Sequence, residues 1–356
     1  MVSIFRRRCH VLGLASAIVI SGCAGGGALP SSGIHLPIRP FENGVFQPVR
    51  HYRATLQAPD RGRSWMLPGA RAIRALLYVS DHHTNDVYVY NYKTGAQAGK
   101  LTGFHGPYGQ CVDAKGNVWI VNYSGHSVVQ YAHGGTRPVT TLATNGNAIG
   151  CAFDSANDLY VTNITTPGGA GDLQVWTNAS GTPANYSNPQ DCYYLWPPGF
   201  GPPTGLVAET NASGGACELL GTLRADNTPF DNFSIGFPAG TMWDGEYLTL
   251  ADQEYNGNRL TAIYQTLLEP CGGLFRVGQT ILNDTCNGSD VDVVQPFVVG
   301  TANTPVNGTQ GTIVVGGNLS CKNRVDYWAY PTGGLPVKTL KNAPLEPFGA
   351  SVSLVP

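Results

Sequence analysis

Three short segments recur at a spacing of 41 residues: Leu77-Tyr78-Val79-Ser80-Asp81, Val118-Trp119-Ile120-Val121-Asn122 and Leu159-Tyr160-Val161-Thr162-Asn163. After a polar or glycine-containing loop, each is followed by a second alternating run, Asp86 to Tyr90, Ser127 to Tyr131 and Asp172 to Trp176. Side chains alternate between the two faces of a strand, so two such runs joined by a turn read as a hairpin. A preceding element also recurs, as Pro107 to Asp113, Ala148 to Asp154 and Pro238 to Asp244. An outer run follows the hairpin, as Pro138 to Leu142 and again as Pro336 to Leu340. The unit is four strands in about forty residues, the period and content of a propeller blade.

Looser copies run through Leu248 to Asp252 with Arg259 to Tyr264, and through Thr312 to Gly316 with Arg324 to Tyr330. A degenerate copy lies near Gly205 to Gly221, with Gly205 to Glu209 read as its innermost strand. Second strands near positions 77, 118, 159, 217, 248 and 312 predict six blades over residues 71–356. Pro347 to Ser353 matches the Pro107-to-Asp113 element, yet no second strand follows it, and its missing partner is at residues 77–81. The expectation is all-β: a six-bladed propeller of four-stranded antiparallel blades whose C-terminal strand joins the first blade and removes an exposed sheet edge. The repeat resembles NHL-type propellers and, more distantly, the six-bladed gluconolactonase/regucalcin group. That resemblance rests on blade-building positions, so it implies the fold and not a reaction.

Composition agrees with a turn-rich β protein. Of 356 residues 42% are hydrophobic, 12% charged, and 46 Gly with 25 Pro punctuate the chain, which argues against both disorder and a helical bundle. The formal charge is -2 and no basic stripe occurs, so a nucleic-acid partner has no electrostatic support.

The N-terminus reads as an address. Arg6-Arg7-Arg8, an apolar stretch from Val11 to Ile20, and then Ile20-Ser21-Gly22-Cys23 follow the order of an export signal too short to remain as a membrane-spanning helix. The ending resembles a bacterial lipobox, which implies cleavage after residue 22, diacylation of Cys23 and anchoring in a lipid membrane. With Ala24 in the next position, the resemblance implies the outer membrane, with the propeller outside the cytoplasm. Residues 1–22 are thus expected as signal peptide, 23–70 as lipidated tether and extended arm, and 71–356 as propeller. The mature chain carries a formal charge of -5.

Asp113, Asp154, Glu209 and Asp244 recur at the ends of innermost strands. Their oxygens suit nearby backbone amides in tight turns, a role that needs no catalysis. The same holds for Asp81, Asn122, Asn163 and Asp252. The lactonase resemblance implies an axial set of acids and amides around calcium or another hard metal, and no residue here can be assigned to it. All eight histidines lie within residues 1–133, and His82, His83, His105 and His126 fall in loops expected on one face. They are a candidate zinc or other imidazole-binding site without a fixed spacing, or else exposed loop residues.

Nine cysteines include Cys9 in the signal and Cys23, which leaves seven. Cys271 and Cys286 flank a segment readable as a hairpin and are the first disulfide candidate; Cys192 and Cys217 are the second. Cys111 and Cys151 fall on opposite faces of equivalent strands and read as small core or groove residues, with Cys321 unpaired. The recurring aromatics read as packing between blades. Tyr193-Tyr194-Leu195-Trp196 instead break the period, and read as a partner or ligand surface or as a cap over the blade core. The functional expectation is a membrane-anchored extracytoplasmic module that binds a protein or small-molecule ligand. The alternative is a metal-dependent lactonase, hydrolase or lyase of the propeller type.

Overall fold

The structure is a computed structural model, and it describes residues 62–165, 171–186, 199–201, 206–210, 216–220, 224–228, 230–231, 238–255, 260–268, 274–284, 291, 293, 295–299, 312–321, 324–341, 344 and 346–355. From the axis outward, sheet 1 orders Pro347–Leu354, Ala75–Asp81, Asp86–Asn91 and Gln97–Leu101, with Trp65–Met66 added at the outer edge. Sheet 2 is Pro107–Val112, Val118–Asn122, Ser127–Tyr131 and Pro138–Ala143. Sheet 3 is Asn147–Phe153, Leu159–Thr165, Asp172–Trp176 and Ala184–Tyr186. Sheet 5 is Pro238–Trp243, Leu248–Tyr255, Leu260–Leu268 and Leu274–Leu282, edged by a parallel strand at Phe230–Asp231. Sheet 6 is Phe297–Val299, Ile313–Gly317, Arg324–Ala329 and Lys338–Lys341. The chain is an all-β propeller whose blades are built from four antiparallel strands.

Those five sheets are blades with described side chains, against the six expected. Between sheets 3 and 5, Gly199–Gly201, Leu206–Thr210, Ala216–Leu220 and Arg224–Thr228 pair as a further four-stranded sheet, sheet 4, described by its backbone alone. Here the expected order is corrected by one strand. Leu206–Thr210 pairs on one side with Gly199–Gly201 and on the other with Ala216–Leu220, so it is the second strand and not the innermost. The aromatic-rich run before it obscured the short first strand.

Alternation explains why both faces of each blade are buried. Leu76 and Tyr78 pack with Val87 and Val89 against Val118, Ile120 and Tyr131 of sheet 2. Leu77 and Val79 point the other way, onto Ile313, Val315, Val325 and Tyr327 of sheet 6. Trp119, Val121 and Val128 meet Leu159, Val161 and Trp176 between sheets 2 and 3, and Ile263 with Leu282 meets Val314 and Trp328 between sheets 5 and 6. Each such large buried side chain stabilises the fold by roughly 1.5–3 kcal/mol relative to exposure.

The last strand joins sheet 1 as expected. Ala75–Asp81 pairs antiparallel with Pro347–Leu354, from Ala75 opposite Leu354 to Asp81 opposite Pro347. His133 of sheet 2 braces this joint, with Nδ1 2.7 Å from Ser353 Oγ and Nε2 2.7 Å from the Ile73 carbonyl. The last part of the N-terminal arm packs on sheet 1, where Leu67 N–H donates to the Ala98 carbonyl and Thr102 N–H to Ser64 Oγ. Among the described residues no helix is long and apolar enough to cross a membrane.

Candidate functional site

Asp113, Asp154 and Asp244 are turn residues, whereas Glu209 falls within the second strand Leu206–Thr210 and not at a turn after an innermost strand. Asp113 Oδ1 accepts from the backbone of Lys115 and Asn117, Asp154 Oδ1 from Ala156 and Asp158, and Asp244 Oδ1 from Glu246 and Tyr247. The other oxygen takes a side chain: Trp119 Nε1 on Asp113, Tyr160 Oη on Asp154, Tyr330 Oη on Asp244. At the opposite strand ends, Asp81 Oδ1 accepts from the His83 amide and Asn122 Oδ1 from that of His105. These positions hold loops to blades, as their residue types suggested.

Where sheets 1, 2, 3 and 6 approach the axis, main chain and side-chain amides meet. A Cβ on Gly109 would collide with the Ile149 carbonyl, and one on Gly349 with the Tyr108 carbonyl, so the innermost strands of sheets 1, 2 and 3 touch there backbone to backbone. Gln295, just before the innermost strand of sheet 6, accepts from Gln110 N–H at 2.9 Å and donates through Nε2 to the Gln110 carbonyl at 3.1 Å. The Gln110 side chain donates to Ser80 Oγ and accepts from Ser351 Oγ, each at 2.7 Å. No property of the repeat pointed to Gln110 or Gln295; both are single departures from it.

Beside this plug, toward the Asp113 and Asp154 ends of the innermost strands, lies a cavity of about 180 Å³. Its apolar walls are Val112, Phe153, Met242, Trp243, Pro296 and Phe297, and its polar groups are Gln110, Thr241 and Gln295. Cys111 and Cys151 complete the wall and are joined to each other in a disulfide across sheets 2 and 3. This corrects their reading as unlinked core residues. Neighbouring blades stack face to face, so residues that meet must come from opposite faces of equivalent strands. Cys111 stands opposite Trp119 and Cys151 opposite Val161, which is that relation. Cys321 is also disulfide-bonded, contrary to the expectation that it is unpaired. Leu274–Leu282 is one outer strand paired with Leu260–Leu268, not a hairpin between Cys271 and Cys286. Cys192, Cys271 and Cys286 and the side chain of Cys217 lie outside the described residues, as do Cys23, Tyr193, Tyr194 and Trp196.

The four candidate histidines lie toward the other end of the innermost strands. His82 is buried against Tyr108, Tyr123 and Phe348, with ring centroids 5.8, 6.0 and 5.1 Å away. Burial pushes its pKa down to about 4 against a hydrogen bond to the Pro107 carbonyl, and His83 adds to the lowering. His126 has Nδ1 3.0 Å from the Gly146 carbonyl. Among the described residues no three His, Cys, Asp or Glu side chains form a group able to hold a metal. Among the described residues no acidic set of the kind implied by the lactonase resemblance lines the axis: the Gln295 side chain is bonded to the Gln110 main chain, and the Gln110 side chain to Ser80 and Ser351.

The family profile described as SMP-30/Gluconolactonase/LRE-like region matches residues 72–165, which cover the early strands of sheet 1, all of sheet 2 and the first two strands of sheet 3. The chain resembles a gluconolactonase-like propeller. Among solved structures, the β-propeller domain of Myceliophteria thermophila Cps50 (Swd1) is 10% identical with a TM-score of 0.50, covering 82% of this chain and 91% of that one. Virginiamycin B lyase from Staphylococcus aureus is 10% identical with a TM-score of 0.49, covering 79% and 92%. At such identities the likeness concerns the fold alone. No curated protein matches the chain in sequence.

Proposed function

We propose that the chain is a six-bladed propeller acting as a ligand-binding module of the cell envelope, held at the outer membrane through acylated Cys23. The observation that carries the binding reading is the axial cavity. Its walls are aromatic and aliphatic with a few amides and a hydroxyl, the usual make-up of a small-molecule pocket, and among the described residues they include no acid, base or nucleophile. The backbone-only sheet between sheets 3 and 5 supports the count of six. The cavity suits a small, largely apolar ligand, and the Tyr193-Tyr194-Trp196 insert offers a second, protein-facing surface.

A fragment screen by saturation-transfer NMR tests the reading. Apolar fragments should bind the full chain and lose binding when Ala152, a cavity-wall residue that is only partly buried, is replaced by Trp. The match to gluconolactonase-like sequences supports a metal-dependent hydrolase as second reading. A lactone and ester panel with and without Ca²⁺ or Zn²⁺ separates the two, with no turnover expected. Radiolabelled palmitate should enter the chain in a bacterial host and fail to enter the Cys23→Ser variant.

A further inference from the structure

The Cys111–Cys151 bond crosses an interface that is already packed. Trp119, Val121, Leu159 and Val161 form one apolar cluster with the two cysteines between sheets 2 and 3. Each cysteine also lies in the antiparallel ladder of its own sheet. Breaking the bond therefore leaves both strands in place, while both cysteines are among the residues that line the cavity. A disulfide that borders a ligand cavity is an electrophile toward any thiolate that the cavity admits. Among the described residues the lining holds no charged side chain: Phe153, Trp243 and Phe297 stand there with the neutral amides of Gln110 and Gln295. Burying a charged ligand against such a surface is costly.

We infer that the cavity captures small, uncharged thiol compounds covalently, by exchange with the Cys111–Cys151 disulfide. This rests on reading the cavity as a ligand site. The ligand enters as the neutral thiol and attacks Cys111 Sγ as it loses its proton, Cys111 being the less completely buried residue of the pair. The Cys111–Cys151 bond breaks as the new S–S bond forms, and Cys151 leaves as a thiolate that takes up the proton lost by the ligand thiol. The product is a mixed disulfide on Cys111 and a free thiol on Cys151, with no other oxidant or reductant consumed. A second ligand thiol attacking the mixed disulfide releases the ligand as its own disulfide and leaves both cysteines reduced.

The full chain is incubated with 2-mercaptoethanol or glutathione at matched thiolate concentration, quenched in acid, and mapped by non-reducing peptide mass spectrometry, with circular dichroism recorded in parallel. The small neutral thiol should yield at least tenfold more Cys111 adduct than the larger, charged glutathione, without loss of β structure. Ala152→Trp should suppress that adduct. Absence of adduct on the folded chain, when the same adduct forms in denaturant, overturns the inference; so does equal labelling by both thiols. Noncovalent fragment binding measured on the same sample separates the two readings. Fragments that bind while no adduct forms overturn the exchange alone, whereas loss of both overturns the cavity reading as well.

Discussion

Gln295 and Gln110, 185 positions apart, exchange two hydrogen bonds across the axis: the Gln110 amide donates to Gln295 Oε1, and Gln295 Nε2 donates back to the Gln110 carbonyl. The pair ties sheet 6 to sheet 2, and through Ser80 and Ser351 the Gln110 side chain adds sheet 1. A buried backbone amide deprived of its acceptor costs about 1–3 kcal/mol. Gln295→Ala should therefore lower the unfolding free energy by about that amount, with an unchanged denaturant slope. A change well below about 0.5 kcal/mol would show that the pairing does not form.

His82 gives the fold an acid limb. Its folded pKa of about 4 lies below its ordinary value of 6.5, so the unfolded chain binds the proton more readily. Stability is fully present above pH 6.5 and falls as pH drops toward 4, by about 3 kcal/mol over the whole window. Asp326 acts in the opposite sense: burial, with Asp284 adding to the rise, holds it at about 6, so its contribution is full at low pH and lost as pH rises through 6. His82→Phe should flatten the loss between pH 6.5 and 4 in chemical denaturation. An unaltered acid limb in that variant would assign it to other groups.

Removal of the Cys111–Cys151 bond tests a different link. It closes a loop of 40 residues in sequence separation, for which chain entropy gives a stabilisation of about 4 kcal/mol. The Cys111→Ser, Cys151→Ser double variant should remain folded through the shared apolar cluster, with its urea midpoint shifted down by most of that amount. Loss of native β structure at 25 °C would mean that the cluster does not hold the interface by itself.

Deleting residues 346–356 removes the innermost strand of sheet 1, together with the Ser353 contact of His133. Cooperative thermal unfolding should be lost. A single transition at the original temperature would contradict the closure.

The blades were legible because two simple periods coincide. Alternation along Ala75–Asp81 buries Leu76 and Tyr78 toward one neighbour and Leu77 and Val79 toward the other, and the 41-residue spacing repeats that pattern for Trp119 and Tyr160. The terminal joint followed from Pro347–Leu354 being an innermost strand without a partner. What escaped depends on how blades face each other. Cys111 and Cys151 were correctly placed on opposite faces, yet opposite faces are what stacked blades bring together. The axial pair was hidden for the converse reason: Gln110 and Gln295 break the repeat, and a glutamine in a strand has no pattern that announces a partner 185 residues away.

Isothermal titration of an apolar fragment, with the ligand recovered afterward and weighed by mass spectrometry, tests most directly whether the axial cavity is a binding site and not a reaction centre. The full chain should bind one equivalent, Ala152→Trp should bind at least tenfold more weakly, and the fragment should be recovered unchanged. Equal binding by both proteins, or recovery of a hydrolysed or eliminated product, would contradict the account.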